Sequence, residues 1–103
     1  MARLLTDHPD LIGVYNVGAG APGVIKAITE FGRESGLVVV AHDLTDFTRR
    51  ALLKGVVDAV ISQDPGHEAR SAIRVLLSLA RDERLLPEQE KIRIEIVMRD
   101  NLP

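Results

Sequence analysis

The sequence has no cysteine and no tryptophan, and its aromatic side chains are one tyrosine and two phenylalanines. Without cysteine the chain has no disulfide bond, no thiolate nucleophile and no cysteine-based zinc site. Two further features are missing: a strong net charge and a long apolar run. The 13 basic and 15 acidic residues give a formal net charge of −2 at pH 7, which gives no electrostatic footprint for DNA, RNA or an anionic membrane.

No apolar run approaches the roughly 20 residues that span a bilayer. Residues 1–10 lack the long apolar centre and the cleavage site of a signal peptide. We therefore expect a cytoplasmic protein without membrane contact. A chain of 103 residues is long enough for one small domain with one core.

Short apolar segments rich in β-branched residues predict the strands. They cover residues 11–17, 37–42 and 56–63, and an alternating segment follows at 92–99. The segment 37–42 is almost continuously apolar, which indicates a parallel strand that is covered on both faces. In 92–99 the isoleucines share one face of the strand, which predicts a half-exposed strand at or near an edge of the sheet.

Helix signals separate the predicted strands. Pro22 suits the first turn of a helix that ends near Gly36, which can take a left-handed conformation. Thr45 is a suitable cap for the next helix, which ends near Gly55, and Asp64, followed by proline, opens a longer helix. The order β-α-β-α-β-α-β predicts an α/β fold, a mostly parallel sheet with flanking helices.

Polar side chains stand at the ends of three predicted strands: Asn16, Asp43 and Gln63. Ligands of open parallel sheets bind beyond the carboxyl ends of the strands. A carboxylate accepts hydrogen bonds and an amide both donates and accepts, so the three together suit the vicinal hydroxyls of a sugar or polyol. The alternative is that Asp43 and Thr45 only shape the start of the following helix.

The loop GAGAPG, Gly18–Gly23, matches the pattern G-x-G-x-x-G between a strand and a helix, and Asp43 follows twenty residues beyond Gly23. This spacing is typical of dinucleotide binding and leaves an NAD-binding oxidoreductase fragment as a less favoured alternative. Against it, Pro22 removes one N–H from the loop that would bind phosphate. The other interpretation is a tight turn from strand to helix, and we expect no cofactor.

The titratable residues give no recognisable catalytic pattern. His8, His42 and His67 do not form H-x-x-x-H or H-E-x-x-H, and no serine lies in a nucleophile-elbow motif. We therefore predict no catalytic residue, no metal ligand and no enzymatic activity.

Three stretches resemble the effector-binding domain of the lactose-repressor (LacI) family of transcriptional regulators. They are GVYNVGAGAPGVIKAI, VVVAHDLTDFTRRALLKGVVDAVISQDP and RIEIVMRDNLP. That domain is similar in fold to the periplasmic sugar-binding proteins of the ribose and galactose type. The resemblance implies that residues 1–103 are the C-terminal part of a type I, two-lobe domain, without its N-terminal lobe and without the helix-turn-helix that contacts DNA.

The resemblance also implies roles for particular residues. Asp43 and Gln63, twenty residues apart, match the pair that contacts sugar hydroxyls in the ribose-binding pattern. Asn16 matches more loosely because a glycine-rich loop follows it, and the backbone at Gly18 would form the rim of the site. Phe47 is the candidate for an aromatic ring that stacks on the sugar, since the other phenylalanine falls in the predicted core of its helix.

The function implied is that of a ligand-sensing segment of a LacI-type regulator. A sugar or related metabolite would bind between two lobes and change DNA binding by favouring one lobe arrangement. The ending RDNLP resembles repressors, and a periplasmic sugar-binding protein of an ABC transporter is the alternative within the same fold. The helix after Pro65 would pack on the other lobe, so we expect the 103-residue chain to cover its apolar stripe by forming a homodimer.

Overall fold

The computed structural model describes all 103 residues, which divide into two compact units. The first unit consists of Met1–Ser62 together with Ile96–Pro103, and the second of Gln63–Glu95. The elements in chain order are α1 (Ala2–Asp7), β1 (Gly13–Asn16), α2 (Ala21–Glu30), β2 (Val38–His42), α3 (Asp46–Lys54), β3 (Ala59–Gln63), α4 (Pro65–Arg81) and β4 (Ile94–Val97). Short 3-10 turns cover Pro87–Glu90 and Arg99–Asn101. No helix combines the length and the apolar composition that crossing a bilayer requires.

The four strands form one sheet in the order β1-β2-β3-β4. β1 pairs with β2 in parallel, with Val14 opposite Val39, and β2 pairs with β3 in parallel, with Ala41 opposite Val60. The predicted fold class, a mostly parallel sheet with flanking helices, is therefore confirmed. Because β1 and β2 run in the same direction, the loops that follow them leave the sheet at the same edge.

One face of the sheet carries the core of the first unit. Val39, Ala41 and Val60 are almost fully buried, and they form one cluster with Ile28 of α2 and Leu52 of α3. Fully burying an aliphatic side chain of this size contributes roughly 1.5–3 kcal/mol. This cluster therefore holds α2 and α3 against the sheet.

The opposite face of β2 is not covered in the same way. Val38 is exposed and Val40 is half-buried, while Val39 between them is buried. Side chains alternate between the two faces of a strand, and the apolar run alone does not show which face is covered. The prediction that this strand is covered on both faces is wrong for the chain described here.

The last strand also differs from the expectation in detail. Ile94 and Ile96 are 63% and 62% exposed, whereas Val97 is 3% exposed and belongs to the core cluster. Glu95 between the two isoleucines is exposed as well, so burial does not alternate along this strand as the sequence pattern predicts. The single valine of the other face, and not the isoleucines, is the side chain that packs inside.

The end of α2 lies earlier than predicted. The helix ends at Glu30, and Gly32 takes the left-handed conformation with φ 63°, so Gly36 does not end the helix. Both glycines allow this conformation, and the chain uses the first one it reaches. Phe31, which the periodicity placed in the core, is at the helix end and is 44% exposed.

The helix α4 of the second unit opens as predicted, since Asp64 Oδ1 accepts a hydrogen bond from the backbone N–H of His67 at 2.9 Å. A polar network holds α4 to the turn at Pro87–Glu90. The Nε of Arg74 donates to Glu90 Oε1 at 2.8 Å, and the hydroxyl of Ser71 donates to the same carboxylate. These bonds, first that of Arg74 and then that of Ser71, lower the pKa of the Glu90 carboxyl below its ordinary value.

Candidate functional site

A cavity of about 160 Å³ lies where β2 ends, against the loop after β1 and the first turns of α2 and α3. Its polar lining includes His42, Asp43 and Thr45, and its apolar lining includes Pro22 and Phe47. The cavity therefore combines one carboxylate and one imidazole with an aromatic ring. Carbohydrate ligands need such a mixture, because their hydroxyls form hydrogen bonds and their C–H faces pack on apolar surface.

Asp43 takes an unusual backbone conformation at the centre of this lining. Its φ is 65°, in the left-handed region that residues other than glycine seldom occupy. The backbone is held on both sides, because its N–H donates to the carbonyl of Ile61 at 2.9 Å and its own carbonyl accepts from the hydroxyl of Thr48 at 2.8 Å. Such conformations concentrate at functional sites, where surrounding bonds hold them in place.

The start of α3 does not use the Asp43 carboxylate. The backbone N–H of Thr48 donates to Thr45 Oγ1 at 3.2 Å, and the N–H of Thr45 donates to Thr48 Oγ1 at 2.9 Å. This reciprocal capping box satisfies the helix terminus. Asp43 contributes only its carbonyl oxygen, so its side chain forms no hydrogen bond or ion pair within the chain and is available to a ligand.

His42 is a residue of the lining that the sequence analysis did not select for ligand binding. Its Nε2 is hydrogen bonded to the hydroxyl of Tyr15, and the two rings are 5.4 Å apart at an angle of 46°. Tyr15 lies opposite Val40 in the register, so it projects from the same face of the sheet as His42, two residues further on. The sequence shows a tyrosine and a histidine near the ends of two predicted strands. That the two rings meet follows only from the register of the strands.

Of the five residues predicted for ligand binding, Gly18, Asp43 and Phe47 line the cavity together. Asn16 is the last residue of β1, its Oδ1 accepts a hydrogen bond from the N–H of Gly18 at 3.4 Å, and it does not belong to the lining of the cavity. Gln63 is the last residue of β3 and has an exposed side chain. Ligand contact by each of the five stays a prediction.

The glycine loop does not have the packing of a dinucleotide site. The last glycine of that fingerprint allows a close contact between helix and strand, but a Cβ added at Gly23 would meet nothing within 4 Å. A Cβ at Gly18 would likewise meet nothing, and at Gly20 it would lie 3.3 Å from Asn16 Nδ2. Since Pro22 also removes an N–H donor, these residues do not fit a bound pyrophosphate, and no group of three His, Asp or Glu side chains is placed to hold a metal ion.

A family model described as the periplasmic binding protein domain matches residues 1–84. The chain belongs to the periplasmic-binding-protein domain family. No curated protein matches the chain.

Solved structures agree with this membership in the periplasmic-binding-protein domain family. GanP, a glucose-galactose binding protein from Geobacillus stearothermophilus, superimposes with a TM-score of 0.88 and 24% identity over 98% of this chain and 36% of that one. A carbohydrate transporter solute binding protein from Agrobacterium radiobacter, in complex with D-arabinose, gives 0.83 and 24% over 96% and 34%. A LacI transcriptional regulator from Bacteroides fragilis, itself described as putative, gives 0.75 and 18% over 96% and 34%.

At these identities the likeness concerns the fold. The chain spans about a third of the length of the structures that it matches. Sugar-binding proteins and a regulator therefore share this periplasmic-binding-protein architecture with the chain.

Proposed function

We propose that this periplasmic-binding-protein domain binds a sugar or polyol in the cavity at the end of β2, with Asp43 accepting hydrogen bonds from ligand hydroxyls. The observation that carries the proposal is the Asp43 carboxylate, which lies in the cavity on a constrained backbone and is used by no other residue. An ionised carboxylate forms strong hydrogen bonds with hydroxyl donors. Phe47 contributes apolar surface to the same cavity, and the role is binding rather than catalysis.

The sugars named for several similar structures support a sugar as the ligand. The proteins from Geobacillus stearothermophilus and Agrobacterium radiobacter are a glucose-galactose binding protein and a complex with D-arabinose, and one from Agrobacterium vitis holds D-fucose. We propose that Gln63 and Asn16 complete the set of polar contacts, and that the backbone at Gly18 forms the rim. Amide side chains both donate and accept, so they complement the acceptor-only carboxylate.

For the biological setting we propose a cytoplasmic regulator of the LacI type. In this proposal residues 1–103 are one part of an effector-binding domain, and DNA is bound by a helix-turn-helix outside them. The support is the resemblance of the stretches around Asn16, Asp43 and Gln63 and of the segment RDNLP to the repressors. The effector would act by binding one arrangement of two lobes more tightly than the other.

A sugar-binding protein of an ABC transporter is the second candidate. Several similar structures favour it, since they are solute-binding or sugar-binding proteins of transporters. The two candidates differ in what the gene product does when sugar is added. A regulator retards DNA of its own promoter in a gel mobility assay, and added sugar changes this retardation. A transporter protein does not change the mobility of that DNA and is recovered from the periplasm.

The sugar proposal is tested by thermal unfolding of the chain with a panel of pentoses, hexoses, polyols and NAD. A ligand that binds only the folded state raises the melting temperature by mass action. We expect a rise with a sugar or polyol that is lost in Asp43→Asn and kept in the control Asp10→Asn, an exposed aspartate in the loop before β1. Removing a charge-assisted hydrogen bond of this kind costs roughly 1.5–3 kcal/mol, about ten- to a hundredfold in affinity. A rise with NAD alone would overturn the proposal.

The homodimer is also a proposal. It rests on α4, whose buried side chains are Ser71 and Ser78, while Ile73, Leu76 and Leu77 are 58%, 66% and 43% exposed. An amphipathic helix ordinarily turns its apolar stripe inward. We propose that a second copy of the chain covers this stripe.

A further inference from the structure

We propose that Tyr15 sets the tautomer of His42, so that His42 offers a hydrogen-bond donor, Nδ1–H, to the ligand beside the acceptor carboxylate of Asp43. The identity of the ligand rests on the proposed function, whereas the geometry comes from the contact between Tyr15 and His42. It makes His42 a ligand-contact residue and Tyr15 a positioning residue.

Tyr15 and His42 are in contact across neighbouring strands. β1 and β2 are parallel neighbours, and their register places Tyr15 opposite Val40, so the side chains of Tyr15 and His42 project from the same face. The hydroxyl of Tyr15 meets Nε2 of His42, and the rings meet at an angle and do not stack. Tyr15 has no other side-chain hydrogen bond, and its ring is more than half exposed, so this contact is its one polar function.

The chemistry of the two groups favours one direction for the hydrogen bond between Tyr15 and His42. A phenolic O–H is a good donor, and its oxygen is a weak acceptor because its lone pair is conjugated with the ring. A neutral imidazole has one strongly accepting nitrogen and one N–H. The hydroxyl of Tyr15 therefore donates to Nε2, which places the single ring proton of neutral His42 on Nδ1. No residue of the chain forms a hydrogen bond with that nitrogen.

His42 and Asp43 are neighbours in the lining of the cavity. His42 is the last residue of β2 and lines the cavity together with Asp43. A carboxylate only accepts and an imidazole Nδ1–H only donates. The pair therefore suits a hydroxyl group, or two vicinal hydroxyls, that donates to Asp43 and accepts from His42. A neutral polyhydroxy ligand meets this requirement, whereas a ligand with a carboxylate at that position would face the charge of Asp43.

The tautomer can be measured without a ligand. Long-range ¹H–¹⁵N correlation spectra of the chain at pH 8, where an unperturbed imidazole is neutral, distinguish a protonated from an unprotonated ring nitrogen. We expect His42 to be protonated at Nδ1 in the wild type and to shift toward the Nε2–H form, which free histidine favours, in Tyr15→Phe. His8 and His67 serve as internal controls. Protonation at Nε2 in the wild type, or an unchanged tautomer in Tyr15→Phe, would overturn the proposal.

The ligand contact is tested with two amide variants and the probes D-arabinose and D-galactose. The amide NH₂ of His42→Asn lies near the position of Nδ1, and that of His42→Gln lies near Nε2. We expect His42→Asn to bind the sugar within about threefold of the wild type and His42→Gln to lose about tenfold, the loss of one hydrogen bond. Tyr15→Phe should weaken binding in the wild type but not in the His42→Asn background, since coupled residues are not additive.

The outcomes separate the two proposals. Equal losses in His42→Asn and His42→Gln would show that His42 does not present Nδ1 to the sugar, even where Asp43→Asn abolishes binding as proposed. If the wild type binds neither sugar nor any polyol of the panel, the proposed function fails. The tautomer measurement then decides the Tyr15–His42 inference by itself.

Discussion

At the scale of single residues, Asp43 combines an unfavourable backbone conformation with a carboxylate that the fold does not need. Its φ of 65° is characteristic of glycine. Neighbouring residues hold it there, because its N–H donates to the carbonyl of Ile61 and its carbonyl accepts from the N–H of Thr45 and the hydroxyl of Thr48. A glycine would serve the fold equally well, which indicates that the side chain has a task outside the fold.

The substitution Asp43→Gly tests this separation of stability from binding. We expect the free energy of unfolding to stay equal to that of the wild type or to rise by up to about 1 kcal/mol, because the left-handed conformation no longer carries a Cβ. Sugar binding should be lost. The matched variant Asp43→Val should lose roughly 1–2 kcal/mol, since a β-branched residue tolerates this conformation poorly. Urea unfolding measures both, and a large loss in Asp43→Gly would show that the carboxylate has a structural role.

Two glycines form a second test at the residue scale. Gly55 ends α3 with φ 73°, whereas Gly23 lies inside α2 with open space around its Cα. We expect Gly55→Ala to lower the free energy of unfolding by about 1 kcal/mol and Gly23→Ala to raise it by about 0.5–1 kcal/mol. Thermal and urea unfolding of the two variants should move in opposite directions. Equal effects would contradict the left-handed helix end.

At the scale of elements, the first turn of α3 connects the cavity to the core. Thr48 is almost fully buried, and its hydroxyl bonds with both Thr45 and the carbonyl of Asp43. The isosteric change Thr48→Val removes these bonds and keeps the volume. We expect a loss of roughly 1–3 kcal/mol in unfolding free energy, together with weaker sugar binding, because the Asp43 carbonyl loses the hydroxyl of Thr48 and keeps only the N–H of Thr45. A loss of unfolding free energy without a change in sugar binding would show that other contacts hold Asp43 in place.

The network at Glu90 predicts a dependence on pH. Its carboxyl pKa is lowered, chiefly by the hydrogen bond from Arg74 and then by that from Ser71, from an ordinary value of 4.5. A carboxyl with a lowered folded pKa stabilises the fold above the unfolded pKa, and this contribution is lost as the pH falls through the folded pKa. NMR titration should find the Glu90 pKa below 4.5 in the wild type and closer to it in Arg74→Met.

The control for this network is the exposed pair of Glu88 and Lys91. Exposed ion pairs contribute little, so Glu88→Gln should have nearly the same urea midpoint as the wild type both at pH 7 and at pH 4. The stability advantage of the wild type over Arg74→Met should instead shrink as the pH falls below 4.5, the ordinary value for Glu90. An advantage that does not depend on pH would assign the effect of Arg74 to packing.

At the scale of the whole molecule, α4 buries two serines against the segment that follows it and leaves its apolar stripe exposed. Ser71 and Ser78 are buried and bonded, to Glu90 and to the carbonyl of Glu83, while Leu76 and Leu77 are exposed. Leaving apolar surface in water costs about 25 cal/mol per Å². Such a stripe commonly marks an interaction surface.

Light scattering after size exclusion should therefore find the chain above monomer mass at micromolar concentration. Leu76→Glu should return it to a monomer by placing a charge in the covered stripe. The control Leu53→Glu changes an exposed leucine of α3 and should leave the association unchanged. A wild-type chain that is monomeric under these conditions would contradict the homodimer.

Several features were predictable because their signals are local. Thr45 and Gly55 bound α3 as predicted, and Asp64 with the proline after it opens α4. The parallel sheet followed from the alternation of apolar segments and helices, and Asp43 was placed beyond a strand end by the order of the residues alone. Each of these depends on a few neighbouring residues whose backbone preferences agree with the fold.

The remaining features depend on residues that are distant in sequence. The sequence by itself determined the alternation of strands and helices from β1 to β4, both ends of α3 and the place of Asp43 after a strand, because backbone preferences and capping act over a few residues. The predicted order of elements begins with β1 and does not include α1. Only the tertiary structure decided that Val97 and not Ile94 or Ile96 is buried, and that Tyr15 meets His42 across 27 positions. The physical reason is that the register and the covered face of a sheet are set by pairing and packing between strands, which no single segment encodes.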